Sequence, residues 1–435
     1  MKKLKVVVSV LLLFGVLVFA GCGSVGNVNT PNGKQGAAPK KQTETFAFSS
    51  IVNTDLSKLK YEKIPLPQGC KAIGYVSSFD NFVVFSAGSD KPAAKYAPCL
   101  TFIENLYLLD ASSKVPKKIA TIDKNFVQID WVGIDSNWIV YREKKYIGSI
   151  PQRVWAINRT SGEKHIVFDE EENPANFTVE MPPPVYDFYL SGNYLICFGY
   201  STVLEKGNKN LINSVKLIDM NSGKSKTIFK KVSDWNNKEY VYSVSANVRY
   251  LVFNYLWEGK QSIYLYDFST GRIKDLLTAS LVKKPENAGY CSKSFVLADN
   301  ANYFSAPVIL TENDRLIFVV SNSASSSQAE LVIAPLSDVS KKSVLQSKIS
   351  LIGTSFPPHT PGKYIAWTGW TNDYKGILKV FDSETHVLTN VRDITGDLDF
   401  VNDSEIIISS IYCDANASNS VRPCLIIINL KENGI

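Results

Sequence analysis

The sequence predicts an all-β fold in which four-stranded antiparallel sheets stack radially as the blades of a propeller. Three observations carry that expectation. A short turn followed by an aromatic-aliphatic-aliphatic run recurs along the chain. Each such run is followed by a second apolar run that ends in Asp or Asn before a tight turn. The recurrence is also regular, because the leading aromatics Phe82, Trp138, Tyr194 and Tyr250 lie 56 residues apart each time. A sheet of that size cannot bury both faces alone, so it must stack against neighbours around an axis.

Composition agrees with a large folded body. The 435 residues are 45% hydrophobic and 20% charged, which leaves out collagen-like, disordered and polytopic membrane chains. The formal charge of +6 sits mostly at the start: six lysines against Glu44 within residues 1–45 leave about +1 for everything after. With no basic block in that remainder, nucleic acid is not an expected partner.

Residues 1–21 read as an export signal. Lys2, Lys3 and Lys5 form a basic start, Val6 to Phe19 is apolar but short of the roughly 20 residues a spanning helix needs, and Ala20-Gly21 are small. The stretch Phe19-Ala20-Gly21-Cys22 resembles the bacterial lipobox, with Phe19 where that motif usually has Leu. The resemblance implies cleavage before Cys22 and acylation of its thiol. Two acyl chains would anchor the protein stably to a membrane without crossing it. The expected location is extracytoplasmic. Residues 22–45, rich in Gly, Asn, Pro, Lys, Gln and Thr, have the makeup of a flexible linker. The propeller domain is expected over residues 46–435.

Within it the second strand of each blade is read from seven runs. They begin at Phe82, Trp138, Tyr194, Tyr250, Leu316, Tyr364 and Ile406, the last three steps of 66, 48 and 42 being less even. Third strands end at Asp110, Asn158, Asp219, Asp267, Asp382 and Asn429, and Leu331 to Leu336 is the deviant member. Thr160-Ser161-Gly162, Asn221-Ser222-Gly223 and Ser269-Thr270-Gly271 then turn the chain, Gly supplying the positive φ such turns need. Fourth strands follow, as in Lys164 to Phe168 and Arg272 to Leu277. The last copy stops after its third strand, and Tyr61 to Leu66 is expected to supply the missing fourth and close the ring, leaving no free edge. The count is seven blades, or six or eight if the irregular copy at 280–345 is miscounted. The strings RYLVFNYLWEGKQSIYLYDFSTGRIKDL and GKYIAWTGWTNDYKGILKVFDSETHVL resemble TolB-like propeller repeats, relatives of WD-repeat blades. That resemblance implies the fold and assigns no activity.

Insertions are expected on one face. The second-to-third strand connections Ser86 to Ile103, Arg142 to Gln152, Phe198 to Ser214, Asn254 to Gln261, Ser321 to Gln328, Thr368 to Ile377 and Ser409 to Pro423 are long, as are the linkers 169–184 and 278–305. Loops on a rigid scaffold are the usual place for binding residues. The aromatics that position exposes there are Tyr146, Tyr200, Trp257, Trp370 and Tyr374, able to stack on sugars or pack a peptide. Arg142, Lys144, Lys145, Lys206 and Asp373 are their polar neighbours. A protein, peptide or glycan partner on this face is the expected function.

Signals for chemistry are weak. Only His165, His359 and His386 are present, so no histidine metal site is expected. There is neither a G-x-S-x-G elbow nor a phosphate-cradling loop. No cofactor is expected. The run Asp169-Glu170-Glu171-Glu172 reads as a solvated loop more than a calcium site. The enzyme alternative is a carbohydrate-active hydrolase or lyase with carboxylates drawn from several blades into the central funnel, Asp130, Asp187 and Asp399 being candidates. A structural role in envelope assembly is the third reading. Among the cysteines, Cys413 with Cys424 and Cys70 with Cys99 are expected disulfides of an exported chain, while Cys197 reads as a core thiol and Cys291 is unassigned.

Overall fold

The chain is described from a computed structural model. The described residues are 48–435 apart from 90–91, 94–96, 102, 147–148, 171–184, 206–207, 235–238, 258–259, 281, 284–289, 292–295, 298–307, 322–328, 350–353, 371–375, 395 and 411–422. Cys22, the expected export signal and the expected linker therefore lie outside them. Contacts divide the chain into 1–42 and 43–435, and the second unit holds every described residue.

Seven four-stranded blades form a ring. The second strands are Phe82–Gly88, Trp138–Tyr146, Tyr194–Glu205, Tyr250–Trp257, Arg315–Ser321, Tyr364–Trp370 and Glu405–Ser410, five opening on the residue the repeat predicts and those of blades 5 and 7 one residue earlier. The irregular fifth copy is a true blade, with strands Val308–Leu310, Arg315–Ser321, Ala329–Pro335 and Ser343–Ile349. One hydrogen bond recurs in all seven: the amide just past the third strand donates to the carbonyl just before the second. Examples are Ala111 to Asn81, Leu336 to Asp314 and Leu430 to Ser404.

The residue that ends the third strand has a physical reason. Its Oδ1 accepts the amides two and three places on, as Asn158 does from Thr160 and Ser161, and Asp219 from Asn221 and Ser222. Such Asx turns reverse the chain locally. Gly162, Gly223 and Gly271 then take φ of 74°, 67° and 67°, the left-handed conformation that side chains resist.

Apolar side chains of each blade face the next. Seven buried clusters occur among the described residues, one at every blade-to-blade seam. The ring closes as expected, since Tyr61–Pro65 pairs antiparallel with Cys424–Asn429 in blade 7. Ile64, 2% exposed, packs with Val83, Phe85 and Ile427 at the seam between blades 7 and 1.

Blade 6 departs from the expected pattern. Among the described residues its innermost strand is one bridge, Ser355 to Thr368, and Pro357, Pro358 and Pro361 follow, where proline cannot donate to a ladder. The blade gains a strand at its rim instead. Ser50–Asp55 pairs parallel with Val387–Arg392.

The expected long loops also need correction in three blades. Arg142 to Gln152, Phe198 to Ser214 and Asn254 to Gln261 are elongated strand pairs, laddered out to Tyr146↔Ser149, Glu205↔Asn208 and Trp257↔Lys260. The insertions are extensions of the blades, not irregular loops.

Candidate functional site

The innermost strands line a central channel, and irregularities in them aim specific side chains at it. A bulge skips Gly74 and Tyr75 in the pairing of Ala72–Phe79, and another skips Asp130 in that of Gln128–Ile134. Bulges re-aim side chains at sites. Gly74 is needed at the first, because a Cβ there would stand 2.5 Å from the Ser86 Oγ that accepts the Tyr75 amide at 3.1 Å.

Asp130 meets a buried cation. Arg142 Nε and one terminal nitrogen grip its two oxygens at 2.7 and 3.1 Å, and Lys144 Nζ lies 2.7 Å away. The other terminal nitrogen of Arg142 reaches Asp187 Oδ1 at 3.1 Å and the Tyr186 carbonyl at 2.8 Å, tying blade 2 to blade 3. Arg142 is 5% exposed, whereas the Asp187 side chain is 59% exposed. The guanidinium also lies 5.6 Å from the Phe188 ring.

Tyr75, 47% exposed, belongs to the same mouth. Burial raises its phenol pKa, and the carboxylates Asp130, Asp397 and Asp187 add to the rise while Arg142 opposes it. Asp397 is water-accessible yet enclosed by protein, and that enclosure pushes its carboxyl up against a single hydrogen bond from Ser355 Oγ at 3.2 Å. Blades 1, 2, 3, 6 and 7 thus converge here.

Blade 6 reaches across the far end of the channel. The proline-bearing segment of blade 6 crosses it: the Pro358 carbonyl accepts from Tyr189 of blade 3 at 2.9 Å, and the Glu312 amide of blade 5 donates to the Thr360 carbonyl. His359 packs its ring 5.9 Å from that of Tyr189, and burial lowers its pKa to about 4. Asp399, 0% exposed, accepts the amides of Ser78 at 2.6 Å, Phe400 at 2.9 Å and His359 at 3.4 Å. Desolvation nevertheless raises its pKa to about 7. The channel is a funnel with the blade 6 segment as its floor, and Tyr75, Asp130, Asp187 and Asp397 lie toward the extended hairpins.

The expected site residues distribute unevenly. Arg142, expected on a loop, lies in a strand with its charge committed, so it positions Asp130 and Asp187. Those two acids meet through it, while Asp399 lies in the floor. Tyr200 is half-buried in the second strand of blade 3, its pKa raised by burial. Tyr146, Trp257 and Trp370 sit at strand ends beside hairpin tips, and their side chains fall outside the described residues, as does Tyr374 entirely.

Cys70 is a free thiol with its Sγ 3.3 Å from the Tyr107 hydroxyl, which removes the expected Cys70–Cys99 bond. Cys424 is disulfide-bonded, and Cys413 lies outside the described residues. Cys197 is a buried free thiol, its pKa pushed up to about 12 by burial.

Sequence reasoning missed Tyr75, Asp397 and the floor. A signal existed: Tyr75, Asp130, Asp187 and Asp397 each precede the opening residue of a second strand, Phe82, Trp138, Tyr194 and Glu405, by seven or eight places. Among the described residues, no group of three or more His, Cys, Asp or Glu is arranged to hold a metal, and no helix is long and apolar enough to cross a membrane.

The fold is a seven-bladed β-propeller with charged groups gathered in its channel. No family model matches the chain, and no curated protein matches it. Solved structures do. TolB from Acinetobacter baumannii is 15% identical with a TM-score of 0.40, over 75% of this chain and 64% of TolB. An oligogalacturonate lyase in complex with manganese is 12% identical with a TM-score of 0.49, over 86% and 96%. The β-propeller domain of the Trilobed protease from Pyrococcus furiosus, described as having an open velcro topology, is 9% identical with a TM-score of 0.47, over 83% and 94%. This chain spans somewhat less than two thirds of TolB. These likenesses are to the fold alone.

Proposed function

We propose that this chain is a lipoprotein tethered outside the cytoplasm through Cys22, and that its propeller is a binding scaffold whose funnel receives a protruding group of a protein, peptide or glycan partner. The observation that carries the reading is the convergence of Tyr75, Asp187 and Asp397, from three blades, on one water-accessible recess above the blade 6 segment. Asp130, Arg142 and Lys144 fix the wall of that recess before any partner arrives, and preorganised polar groups in a concave site favour specific recognition. The strand ends that carry Tyr146, Trp257 and Trp370 widen the contact.

Capture from native envelope extract tests it. Wild-type protein is expected to retain a partner that the Tyr75→Ala, Asp187→Asn variant loses at unchanged melting temperature, and equal capture by both would move the site elsewhere. Cys22→Ser is expected to shift the protein from the membrane fraction to the soluble one.

A second reading is favoured by Asp397 alone. Its carboxyl, raised by enclosure, stands with Arg142-bound Asp187 around the Tyr75 hydroxyl, and carboxyls in unlike environments can divide acid and base work on a glycan. Glycan cleavage that Asp397→Asn abolishes would establish it.

A further inference from the structure

Asp397 stands near the start of its strand, away from the face of short turns between first and second strands. It belongs to blade 7, yet two of the hydroxyls that hold it come from blade 6. The Ser355 and Thr368 backbones exchange amide-to-carbonyl bonds of 3.1 and 2.9 Å, which gives the Ser355 side chain a fixed support. Its Oγ donates to Asp397 Oδ1 at 3.2 Å. Thr368, 0% exposed, donates its own hydroxyl at 2.8 Å to the Gly396 carbonyl, in the peptide that leads into Asp397. That peptide has little room to move, because a Cβ on Gly396 would stand 1.9 Å from the Ser409 carbonyl oxygen. Ser409 Oγ in turn donates to the Asp397 carbonyl at 3.4 Å.

We infer that Ser355 is a positioning residue of the funnel, fixing one oxygen of the Asp397 carboxyl so that the other faces a hydrogen-bond donor on the partner. The partner's part in this rests on the function proposed above. Among the described residues nothing bonds the second carboxyl oxygen, while the residue is water-accessible. The same bond bears on charge. Enclosure by protein raises the Asp397 carboxyl, and the Ser355 hydrogen bond opposes that rise, since a donor to a carboxylate favours its ionised form. Tyr75 of blade 1 and Asp187 of blade 3 are its titratable neighbours in the recess, with Asp399 and His359 toward the floor. The blade 6 segment that crosses the channel therefore also sets a carboxyl above it.

The test is a carboxyl titration by nuclear magnetic resonance of the full chain labelled with carbon-13 aspartate, the Asp397 and Asp187 signals being those lost in Asp397→Asn and Asp187→Asn. Ser355→Ala is expected to raise the Asp397 midpoint by about one pH unit and to leave that of Asp187 in place. Its melting temperature is expected to be unchanged, because the backbone bridge to Thr368 does not use the side chain. Ser355→Thr, which keeps a hydroxyl, is expected to hold the wild-type midpoint. An unmoved midpoint in Ser355→Ala, an equal movement at Asp187, or a midpoint in Ser355→Thr like that of Ser355→Ala would each overturn the assignment. No partner takes part in this titration, so it is independent of the binding reading. A moved midpoint with undiminished capture of the partner by Ser355→Ala would keep the effect on the carboxyl but overturn its role toward the partner.

Discussion

At the scale of single residues, buried charge sets the pH response. Asp399 and Asp135 have carboxyls raised by desolvation to about 7 and about 6, so in the fold each holds its proton longer than in the unfolded chain. Their contribution is present at low pH and lost as pH rises from about 4 through those values. His359 acts in the opposite sense, its pKa lowered to about 4, so its contribution is lost as pH falls from about 6.5 toward 4. Two carboxyls against one imidazole leave a net fall with rising pH. The melting temperature is expected to be higher at pH 5 than at pH 7.5, and Asp399→Asn should flatten that slope in a calorimetric series. Arg142 makes the other residue-level prediction. Arg142→Met leaves Asp130 with Lys144 alone and should cost about 3–5 kcal/mol in denaturant unfolding, because breaking a buried pair strands a charge.

At the scale of elements, the two N-terminal strands have unlike roles. Tyr61–Pro65 completes blade 7 and buries Ile64, so Ile64→Ala is expected to destabilise by about 2–5 kcal/mol. Ser50–Asp55 lies on the rim with Ile51 55% exposed, so Ile51→Ala should change stability by less than about 0.5 kcal/mol. Urea midpoints for the pair would check both. The closing strand was legible in the sequence because a truncated last repeat demands a partner. The rim strand was not, since a parallel pairing outside a complete sheet leaves no periodicity to read. Blade 6 escaped for a related reason: the prolines that thin its inner strand were visible, but their path across the channel depends on Tyr189 and Asp399, which belong to other blades.

For the whole molecule, the ring was readable and the site only partly so. Seven opening residues favoured seven blades over six or eight, since each second strand is a local apolar run whose turn chemistry is also local. The funnel is assembled from single residues of several blades: bulges present Tyr75 and Asp130, whereas Asp187 and Asp397 lie in regularly paired stretches, and no local pattern marks which of these positions meet, so Asp130 and Asp187 were suspected while Tyr75 and Asp397 were passed over. The same division explains the extended hairpins. Their length was legible, but not that it would be laddered instead of looped.

The rim strand has a mechanical consequence. Ser49 is bonded to the His386 carbonyl on the short-turn face, and the register then climbs from Ser50↔Val387 to Asp55↔Arg392. A pull on the chain ahead of Ser50, directed away from that face, therefore runs along the strand axis. Backbone bonds lie across that axis, so the six paired residues take the load together in shear, where a crosswise pull would peel them singly. The closing strand is further along the chain and bears none of the tension while that ladder holds. Tension arriving from the N-terminal side is absorbed at the rim of blade 6 before it can open the ring.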